Sequence, residues 1–438
     1  MTDSTALLTD RYEYTMVDAA LQAGTAERES VFEVFARRLP GERRYGVVAG
    51  TGRLVQAVAD FQLGDDELAW LADEGVVSAG TVDWLADYRF SGRITGYREG
   101  EIYFPGSPIL VVEGTFAECV LLETVVLSIL NYDSAVATAA ARVVSASAGR
   151  PVAEMGSRRT GERSAVAAAR AAWIAGFSST SNLEAGRTWG LPTMGTAAHA
   201  FTLLHDSEEQ AFRAQIAAQG KGTTLLVDTF DVPTAVRMAV EIAGPELGAV
   251  RIDSGDLASQ VAEVRRQLDG LGATGTRITV TSDLDEYSVA ALSASPVDSY
   301  GVGTSVVTGS GHPAAGMVYK LVAHKDDDGA WVSVAKKSSN KASVGGRKHG
   351  FRNLARDGIA TAEVVRVEAH GAASAPAAGE TERALHVPLV SDGVADTQWL
   401  GAAGTQRARE HHAEVVRELP PEAFRLSAGD PVLPTVYR

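Results

Sequence analysis

The sequence predicts an α/β fold: an irregular parallel (β/α) barrel, with an N-terminal α+β domain and a small C-terminal unit. Short apolar segments alternate with helical patterns between residues 151 and 305, as in a parallel sheet covered by helices. Polar or glycine-rich residues follow each apolar segment, as expected where such strands end. The seven candidate strands favour a barrel, irregular or incomplete, and an open doubly wound sheet is the alternative.

The length of 438 residues predicts two or three structural units. We expect them at 1–117, 118–330 and 331–438. The first mixes short helical and strand patterns, such as SVFEVFARRL and the strand-like pair YREGEIYF and PILVVEGTF. An apolar, alanine-rich stretch at 118–147 predicts a long helix that passes the chain from the first unit to the second.

The barrel elements follow one another in regular order. The candidate strands share a short apolar core: PVAEM, FSST, LPTMGT, TTLLVDT, GAVRID, RITVTS and SYGVGT. The segments between them carry apolar residues at helical spacing, and the clearest are ERSAVAAARAAWIA, DSEEQAFRAQIAAQ, VPTAVRMAVEIAG, LASQVAEVRRQLDGLG and DEYSVAALSAS. Asp206 or Ser207, and Asp231 before Pro233, have side chains suited to capping the helices that follow them.

Charge and composition exclude several classes of partner. The net charge of -15 argues against a nucleic-acid or anionic-membrane surface. Cys119 is the only cysteine, so an intrachain disulfide is impossible and a buried thiol is expected. The apolar run from Cys119 to Leu130 is interrupted by Glu123 and is expected to be too short to span a bilayer. Because MTDSTALLTDRYEYTM lacks the features of a signal peptide, we expect the cytoplasm.

The residues that follow the strand cores indicate an anion-binding site. They are Arg158 and Arg159, Ser181 and Asn182, Thr196 to His199, Asp228 to Asp231, Arg251 to Asp256, Ser282 and Asp283, and Gly301 to Ser305. Guanidinium groups bind carboxylate or phosphate, and carboxylates suit ribose hydroxyls or a metal ion. Glycines after the last strand allow backbone N–H groups to approach a phosphate. The set is typical of a site for a phosphorylated sugar and a second anion.

Other motifs fail on individual residues. Gly220-Lys221 is not a P-loop, because Gln215 stands at the first glycine and Gly222 replaces the Ser or Thr. GVGTSV lacks the third glycine of a dinucleotide fingerprint. The histidines have no zinc-ligand spacing, so we expect no metal cluster, and Mg²⁺ carried by phosphates is the only metal expected. No strand end supplies the lysine of a Schiff-base aldolase.

The strings LLTDRYEYTM, FEVFARRLP, EMGSRRTGERSAV, GTAAHAF, VRIDSGDL and YGVGTSVVT occur in the order seen in nicotinate phosphoribosyltransferases. The chain resembles that family over residues 7–352. The resemblance implies that nicotinate and phosphoribosyl pyrophosphate condense to nicotinate mononucleotide and pyrophosphate, coupled to ATP hydrolysis, in NAD synthesis. It also implies a homodimer with shared active sites, in which Tyr12 reaches the neighbouring subunit's site and stacks on the pyridine ring.

The resemblance assigns roles to the strand-end residues. His199 would accept a phosphoryl group from ATP, and Arg251 would bind the nicotinate carboxylate or the sugar phosphate. Asp253 and Asp256 would face ribose hydroxyls or magnesium. The remaining substrate-binding residues implied by the family motifs are Arg158, Arg159, Ser181, Asn182, Thr196, Ser254, Gly255, Gly301, Gly303 and Thr304.

The substrate expectation depends on Ser181 and Asn182. The related nicotinamide phosphoribosyltransferase has an aspartate in this region, which would repel the carboxylate of nicotinate, whereas these two side chains are neutral. Quinolinate, a dicarboxylate, should require a denser basic cluster. Nicotinate therefore ranks above nicotinamide and quinolinate, and a non-catalytic pyridine-nucleotide sensor is the alternative from another class.

Two positions depart from the family pattern, and one region has no assigned chemistry. Met155 replaces a phenylalanine of many relatives, and Val344 replaces a frequent proline. A basic run, with Lys336, Lys337, Lys341, Lys348 and Arg352, faces either phosphate or solvent. Residues from about 353 onward are expected to form a connection and a smaller closing unit.

Overall fold

The computed structural model describes residues 4–336, 344–368 and 377–438. The chain forms two compact units, one made of Met1–Thr138 with His312–Arg438 and the other of Ala139–Gly311. These boundaries differ from the ranges suggested by the order of sequence patterns. The reason is that C-terminal strands pair with N-terminal strands, which places both ends of the chain in one unit.

The described chain contains the following helices and strands. The helices are α1 (Arg11–Gln22), α2 (Thr51–Ala59), α3 (Asp65–Asp73), α4 (Ala79–Ala86), α5 (Phe116–Val120), α6 (Glu123–Ala146), α7 (Glu162–Ile174), α8 (Leu183–Trp189), α9 (His199–Leu204), α10 (Glu208–Gln219), α11 (Val232–Ala243), α12 (Leu257–Gly270), α13 (Glu286–Ala291), α14 (Thr304–Val307) and α15 (Gly401–Val415). The strands are β1 (Glu29–Ala36), β2 (Gly46–Val47), β3 (Arg93–Tyr97), β4 (Ile102–Tyr103), β5 (Leu110–Thr115), β6 (Val152–Glu154), β7 (Ser179–Thr180), β8 (Thr224–Leu226), β9 (Ala249–Ile252), β10 (Arg277–Val280), β11 (Ser299–Val302), β12 (Met317–Lys325), β13 (Trp331–Ser333), β14 (Lys348–Leu354), β15 (Ala360–Val367), β16 (Glu382–Ala384), β17 (His386–Ser391), β18 (Val394–Ala395) and β19 (Thr435–Tyr437).

The unit Ala139–Gly311 contains the parallel barrel that the sequence predicts. Its strands pair in the order β7-β6-β11-β10-β9-β8, and each pairing is parallel. Thr193, in the candidate strand LPTMGT, adds a parallel bridge to Thr180 beside β7. The strands therefore follow chain order around the sheet, and the described pairings leave the ring open between Thr193 and β8. The prediction of an irregular parallel barrel is confirmed.

Side-chain caps fix where the barrel helices begin. Ser207 accepts a hydrogen bond from the N–H of Gln210 at the start of α10, and Asp231 accepts one from Thr234 in α11. Both satisfy backbone donors that a helix leaves free in its first turn. The expected caps are confirmed, and Ser207 rather than Asp206 is the N-cap of α10.

The other unit is built on antiparallel pairing. In its largest sheet, the described strands run in the order β13-β12-β1-β5-β3-β17-β18. The segment SVFEVFARRL supplies β1, whose residue Val34 lies between Leu110 of β5 and Tyr319 of β12. Phe32 stacks on Tyr319 with ring centroids 4.9 Å apart, within the main apolar core of this unit.

Two cations of the basic run are buried in this unit. Lys348 is 1% exposed, and its Nζ donates to Glu33 at 2.8 Å. Arg352 is fully buried and pairs with Glu363 at 3.0 Å. The expectation that Lys348 and Arg352 face phosphate or solvent is therefore wrong, because both neutralise buried carboxylates. Lys337 and Lys341 lie outside the described residues.

A long apolar helical stretch belongs to both units. Helix α6 crosses the boundary between Thr138 and Ala139, as the sequence suggests. The helical stretch Phe116–Ala146, which extends beyond the run Cys119 to Leu130, is long and apolar enough by length and composition alone to cross a membrane. Within the described structure 67% of its apolar window is buried, as in a core helix. Cys119 is fully buried there, and burial raises the pKa of its thiol.

Candidate active site

A polar cleft lies within the barrel unit, at the carboxyl ends of four strands. Its volume is about 220 Å³. The cleft is lined by residues at or directly after the ends of β6, β9, β10 and β11: Met155, Arg158, Arg159, Arg251, Asp253, Thr281, Ser282, Asp283, Gly301, Gly303 and Thr304. Parallel strands bring these groups to one edge of the sheet, which is where such folds bind ligands. As the sequence predicts, the residues that follow these four strands lie together.

Arg251 is held by three side chains. Its Nε donates to Thr281 Oγ1 at 2.8 Å, and one terminal nitrogen donates to Asp253 Oδ1 at 2.9 Å. The other terminal nitrogen donates to Thr196 Oγ1 at 3.3 Å. These contacts fix the plane of the guanidinium group, which is the geometry that bidentate recognition of an anion requires.

Asp253 is ionised beside this arginine. Burial alone would raise the pKa of Asp253, but hydrogen bonds from Thr281 and Arg251, together with the charge of Arg251, lower it below its ordinary value. Asp253 therefore offers a fixed carboxylate to the cleft. The pair Arg251 and Asp253, expected from the sequence to act at one site, lies together as expected.

Arg158 and Arg159 occupy a short turn after β6. Both line the cleft, and neither side chain forms a hydrogen bond or ion pair with another described residue. Two guanidinium groups without partners among the described residues favour binding of an external anion, because their donors are available to it. Thr304 begins α14 on the same cleft, with its Oγ1 3.4 Å from Asp283 Oδ1.

Close packing explains the glycine near the end of β11. A Cβ on Gly301 would lie 2.6 Å from Thr281 Cγ2 and 2.7 Å from Met155 Sδ, so a larger residue would displace the cleft wall. Met155 thus forms this wall with a thioether. Ser282, also on the cleft, has φ 122°, a backbone conformation that costs about 1–3 kcal/mol and often occurs at functional sites.

His199 is paired with a buried acid. It is the first residue of α9, and its Nε2 lies 3.0 Å from Asp228 Oδ1. The other oxygen of Asp228 accepts from the backbone N–H of Asp253 at 2.9 Å and from Ser254 Oγ at 2.7 Å. Because a carboxylate only accepts, Nε2 carries the proton and Nδ1 of the neutral ring keeps its lone pair.

Asp228 belongs to the strand-end set named from the sequence, but the sequence assigned it no role of its own. Its side chain is 2% exposed, whereas that of His199 is 40% exposed. The available signal was its position directly after the strand core TLLV, where a buried acid at a strand end has a reason to be functional.

Several predicted residues have other structural roles or lie outside the cleft lining. Asn182 Oδ1 caps α8 by accepting from the N–H of Ala185 at 2.8 Å, and Asp256 caps α12 through Ser259. Gly255 has φ 90°, which favours glycine in the turn before α12. Within this unit, the predicted residues that do not line the cleft are Ser181, Asn182, Thr196, His199, Ser254, Gly255 and Asp256.

Tyr12 belongs to the other unit. It is 44% exposed on α1, and burial together with the nearby carboxylates of Glu123 and Glu13 raises its pKa to about 12. Its hydroxyl interacts with Glu123 and Thr124 at the start of α6. The stacking role in a neighbouring subunit stays a prediction.

Two solved structures share this fold. The crystal structure of human nicotinic acid phosphoribosyltransferase matches with a TM-score of 0.82 and 24% identity, covering 98% of this chain and 97% of that chain. The nicotinate-nucleotide pyrophosphorylase of Pyrococcus furiosus matches with a TM-score of 0.76 and 22% identity, covering 97% and 96% of the two chains. At these identities, the likeness establishes the architecture.

Sequence comparison establishes the family. Residues 7–131 match the model of the nicotinate phosphoribosyltransferase (NAPRTase) N-terminal domain. The chain is 56% identical to the nicotinate phosphoribosyltransferase pncB1 of Mycobacterium tuberculosis, over 99% of this chain and 95% of the relative. It is 38% identical to the nicotinate phosphoribosyltransferase of Bacillus subtilis, over 80% of this chain and 73% of the relative. The chain belongs to the nicotinate phosphoribosyltransferase family.

Proposed function

We propose that this protein joins nicotinate to the ribose of phosphoribosyl pyrophosphate, in the first step of NAD synthesis from nicotinate. The pyridine nitrogen forms a bond to ribose C1 while the bond from C1 to pyrophosphate breaks, giving nicotinate mononucleotide and pyrophosphate. The observation that carries the proposal is 56% identity to a nicotinate phosphoribosyltransferase along 99% of the chain.

The cleft supports this reaction with groups of the required charge. Arg158 and Arg159, which have no partners among the described side chains, supply donors for the phosphates or for the nicotinate carboxylate. Arg251 presents a third, immobilised guanidinium group, and Asp253 offers a carboxylate acceptor for ribose hydroxyls. Because Arg251 and Asp253 are held in place before substrate binds, these two groups need little reorganisation during the reaction.

ATP coupling would act through His199. With Nε2 hydrogen-bonded to Asp228, the lone pair of Nδ1 attacks the γ-phosphorus of ATP, and the bond to ADP breaks. The phosphoryl group adds negative charge and acceptor oxygens at the start of α9. Asp228 also binds the loop that carries Asp253 and Ser254, so this carboxylate links the modified histidine to the cleft.

Magnesium fits the cleft as a partner of substrate phosphates. Among the described residues, no group of three or more His, Cys, Asp or Glu side chains could form a protein cage for a metal ion. Asp253 and Asp283 line the cleft and could each contribute a carboxylate oxygen. Bound Mg²⁺ would neutralise charge on the pyrophosphate leaving group. The proposal further includes a homodimer with shared active sites and a cytoplasmic location.

A product assay tests the proposal. The full chain is incubated with phosphoribosyl pyrophosphate and with nicotinate, nicotinamide or quinolinate separately, with and without ATP, and nucleotides are separated by chromatography. We expect nicotinate mononucleotide, formed faster with ATP. Turnover of nicotinamide or quinolinate alone would reassign the substrate. Binding of pyridine nucleotides without turnover would identify a sensor.

A further inference from the structure

Glu154 is a buried carboxylate beside the cleft, outside its lining. It ends β6, is fully buried, and lies between Thr180 of β7 and Val302 of β11 in the parallel sheet. Met155 and Gly156 follow it directly and lead into the turn with Arg158. Residues 156–159 are called the arginine turn below.

Both oxygens of Glu154 hold this region together. Oε1 accepts the backbone N–H of Gly156, the first residue of the arginine turn, and Oε2 accepts Thr180 Oγ1 at 2.6 Å. Thr180 Oγ1 itself accepts the N–H of Asn182 at 3.0 Å, so its hydrogen is directed to Glu154. Both neighbours donate, and a carboxylate provides an acceptor on each side.

Neighbouring atoms leave the arginine turn little space for another backbone position. A Cβ on Gly156 would lie 2.3 Å from Val307 Cγ1 and 2.9 Å from the carbonyl oxygen of Gly303. The N–H of Arg159 closes the turn on the Gly156 carbonyl oxygen at 2.8 Å. A shift of Gly156 would therefore carry Arg158 and Arg159 with it.

We propose that Glu154 is a positioning residue: its carboxylate fixes the arginine turn against β7 so that Arg158 and Arg159 face the anionic substrate. The proposal rests on the proposed function, because phosphoribosyl pyrophosphate is taken as that substrate. Burial raises the pKa of Glu154 above its ordinary value, and the hydrogen bonds from Thr180 and Gly156 offset part of that rise by favouring the charged form.

The test compares four variants of the full chain by calorimetric binding of phosphoribosyl pyrophosphate, steady-state kinetics and thermal melting. Glu154→Ala should raise Kd and KM for phosphoribosyl pyrophosphate about tenfold or more, with a smaller change in kcat. Glu154→Gln should remain within about threefold of wild type, because its amide oxygen still accepts from Gly156 and its NH₂ can donate to Thr180.

The other two variants form a matched pair. Thr180→Val removes the second donor and should raise Kd about threefold. Thr276→Val also replaces a buried threonine of this unit, but Thr276 Oγ1 has no hydrogen-bond partner in the described part of the chain, so Kd should not change. If Glu154→Ala fails to fold, the comparison of Thr180→Val with Thr276→Val shows whether the hydrogen bond to Glu154 affects substrate binding.

Two results would overturn the proposal: an unchanged Kd in folded Glu154→Ala, with only the melting temperature lowered, or equal Kd values for Thr180→Val and Thr276→Val. Failure of the proposed function looks different, because wild type would then form no nicotinate mononucleotide. In that case pyrophosphate replaces phosphoribosyl pyrophosphate as the binding probe, and the same variants still test the arginine turn.

Discussion

Replacing Asp228 by asparagine tests the proposed ATP coupling through His199. The amide oxygen can keep the contacts with the Asp253 N–H and Ser254 Oγ, which turns the NH₂ group towards His199 Nε2. That NH₂ group only donates, so the ring proton must move to Nδ1, the nitrogen that would accept the phosphoryl group. Asp228→Asn should therefore slow phosphohistidine formation.

The size of the effect follows from two contributions. Loss of one hydrogen bond to a buried charge corresponds to about 1.5–3 kcal/mol, or roughly 10- to 150-fold. A wrong tautomer in a comparable Asp–His pair of a serine protease costs about 10⁴-fold. We expect the rate of phosphohistidine formation to fall by between about 10-fold and 10⁴-fold. The rate is measured as acid-labile phosphate transferred from radiolabelled ATP. Product formation without ATP should persist, because Asp228 does not line the cleft.

Ser254→Ala is the matched control for Asp228→Asn. It removes the 2.7 Å bond to the other oxygen of Asp228 and leaves the His199 contact in place, so phosphorylation should fall about tenfold or less. Phosphorylation of Asp228→Asn at the wild-type rate would refute the assignment of the tautomer.

Three further changes probe the cleft and the other unit. Arg251→Lys loses the fixed guanidinium fork, so kcat/KM for nicotinate should fall on the order of 100-fold; a near-wild-type value would remove Arg251 from substrate binding. Lys348→Met leaves Glu33 buried without its cation and should lower the unfolding free energy in urea by about 3–5 kcal/mol, whereas an altered KM with intact stability would contradict a structural role. Burial raises the pKa of Glu13 from 4.5 to about 7, so the folded form binds this proton more tightly and wild-type stability should fall as pH rises across that interval. Glu13→Gln should show a shallower fall in thermal melts, and an unchanged slope would count against this effect.

Local signals account for the predictions of the barrel that succeeded. The core of GAVRID forms β9, and Ser207 and Asp231 cap α10 and α11, because apolar length and capping depend on a few consecutive residues. The predicted pair Arg251 and Asp253 meets for a related reason, since parallel strands place their carboxyl ends at one edge.

Long-range pairing accounts for what the sequence could not show. Phe32 of β1 pairs with Leu321 of β12, and no local pattern specifies that partner. Lys348 is buried only because Glu33, 315 residues away along the chain, lies beside it. In linear order, Lys348 was one member of a basic run, which predicted exposure to phosphate or solvent.

At the site, the sequence could not reveal the roles of individual buried side chains. Asp228 and Glu154 hold other groups in place from buried positions, and in the sequence they are indistinguishable from ordinary strand-end acids. Asn182 and Asp256 were expected to contact substrate, but both cap helices, because the residue types that bind ribose or phosphate also cap helix N-termini.

The assignment of nicotinate as the substrate can be tested by comparing kcat/KM for nicotinate with kcat/KM for nicotinamide. Both are measured with phosphoribosyl pyrophosphate and ATP at saturation, and their ratio is the result. Three arginines line the cleft, and Ser181 is neutral, so a carboxylate should be preferred over a neutral amide. We expect a ratio of at least about 100. A ratio of one or below would contradict the assignment of nicotinate as the substrate.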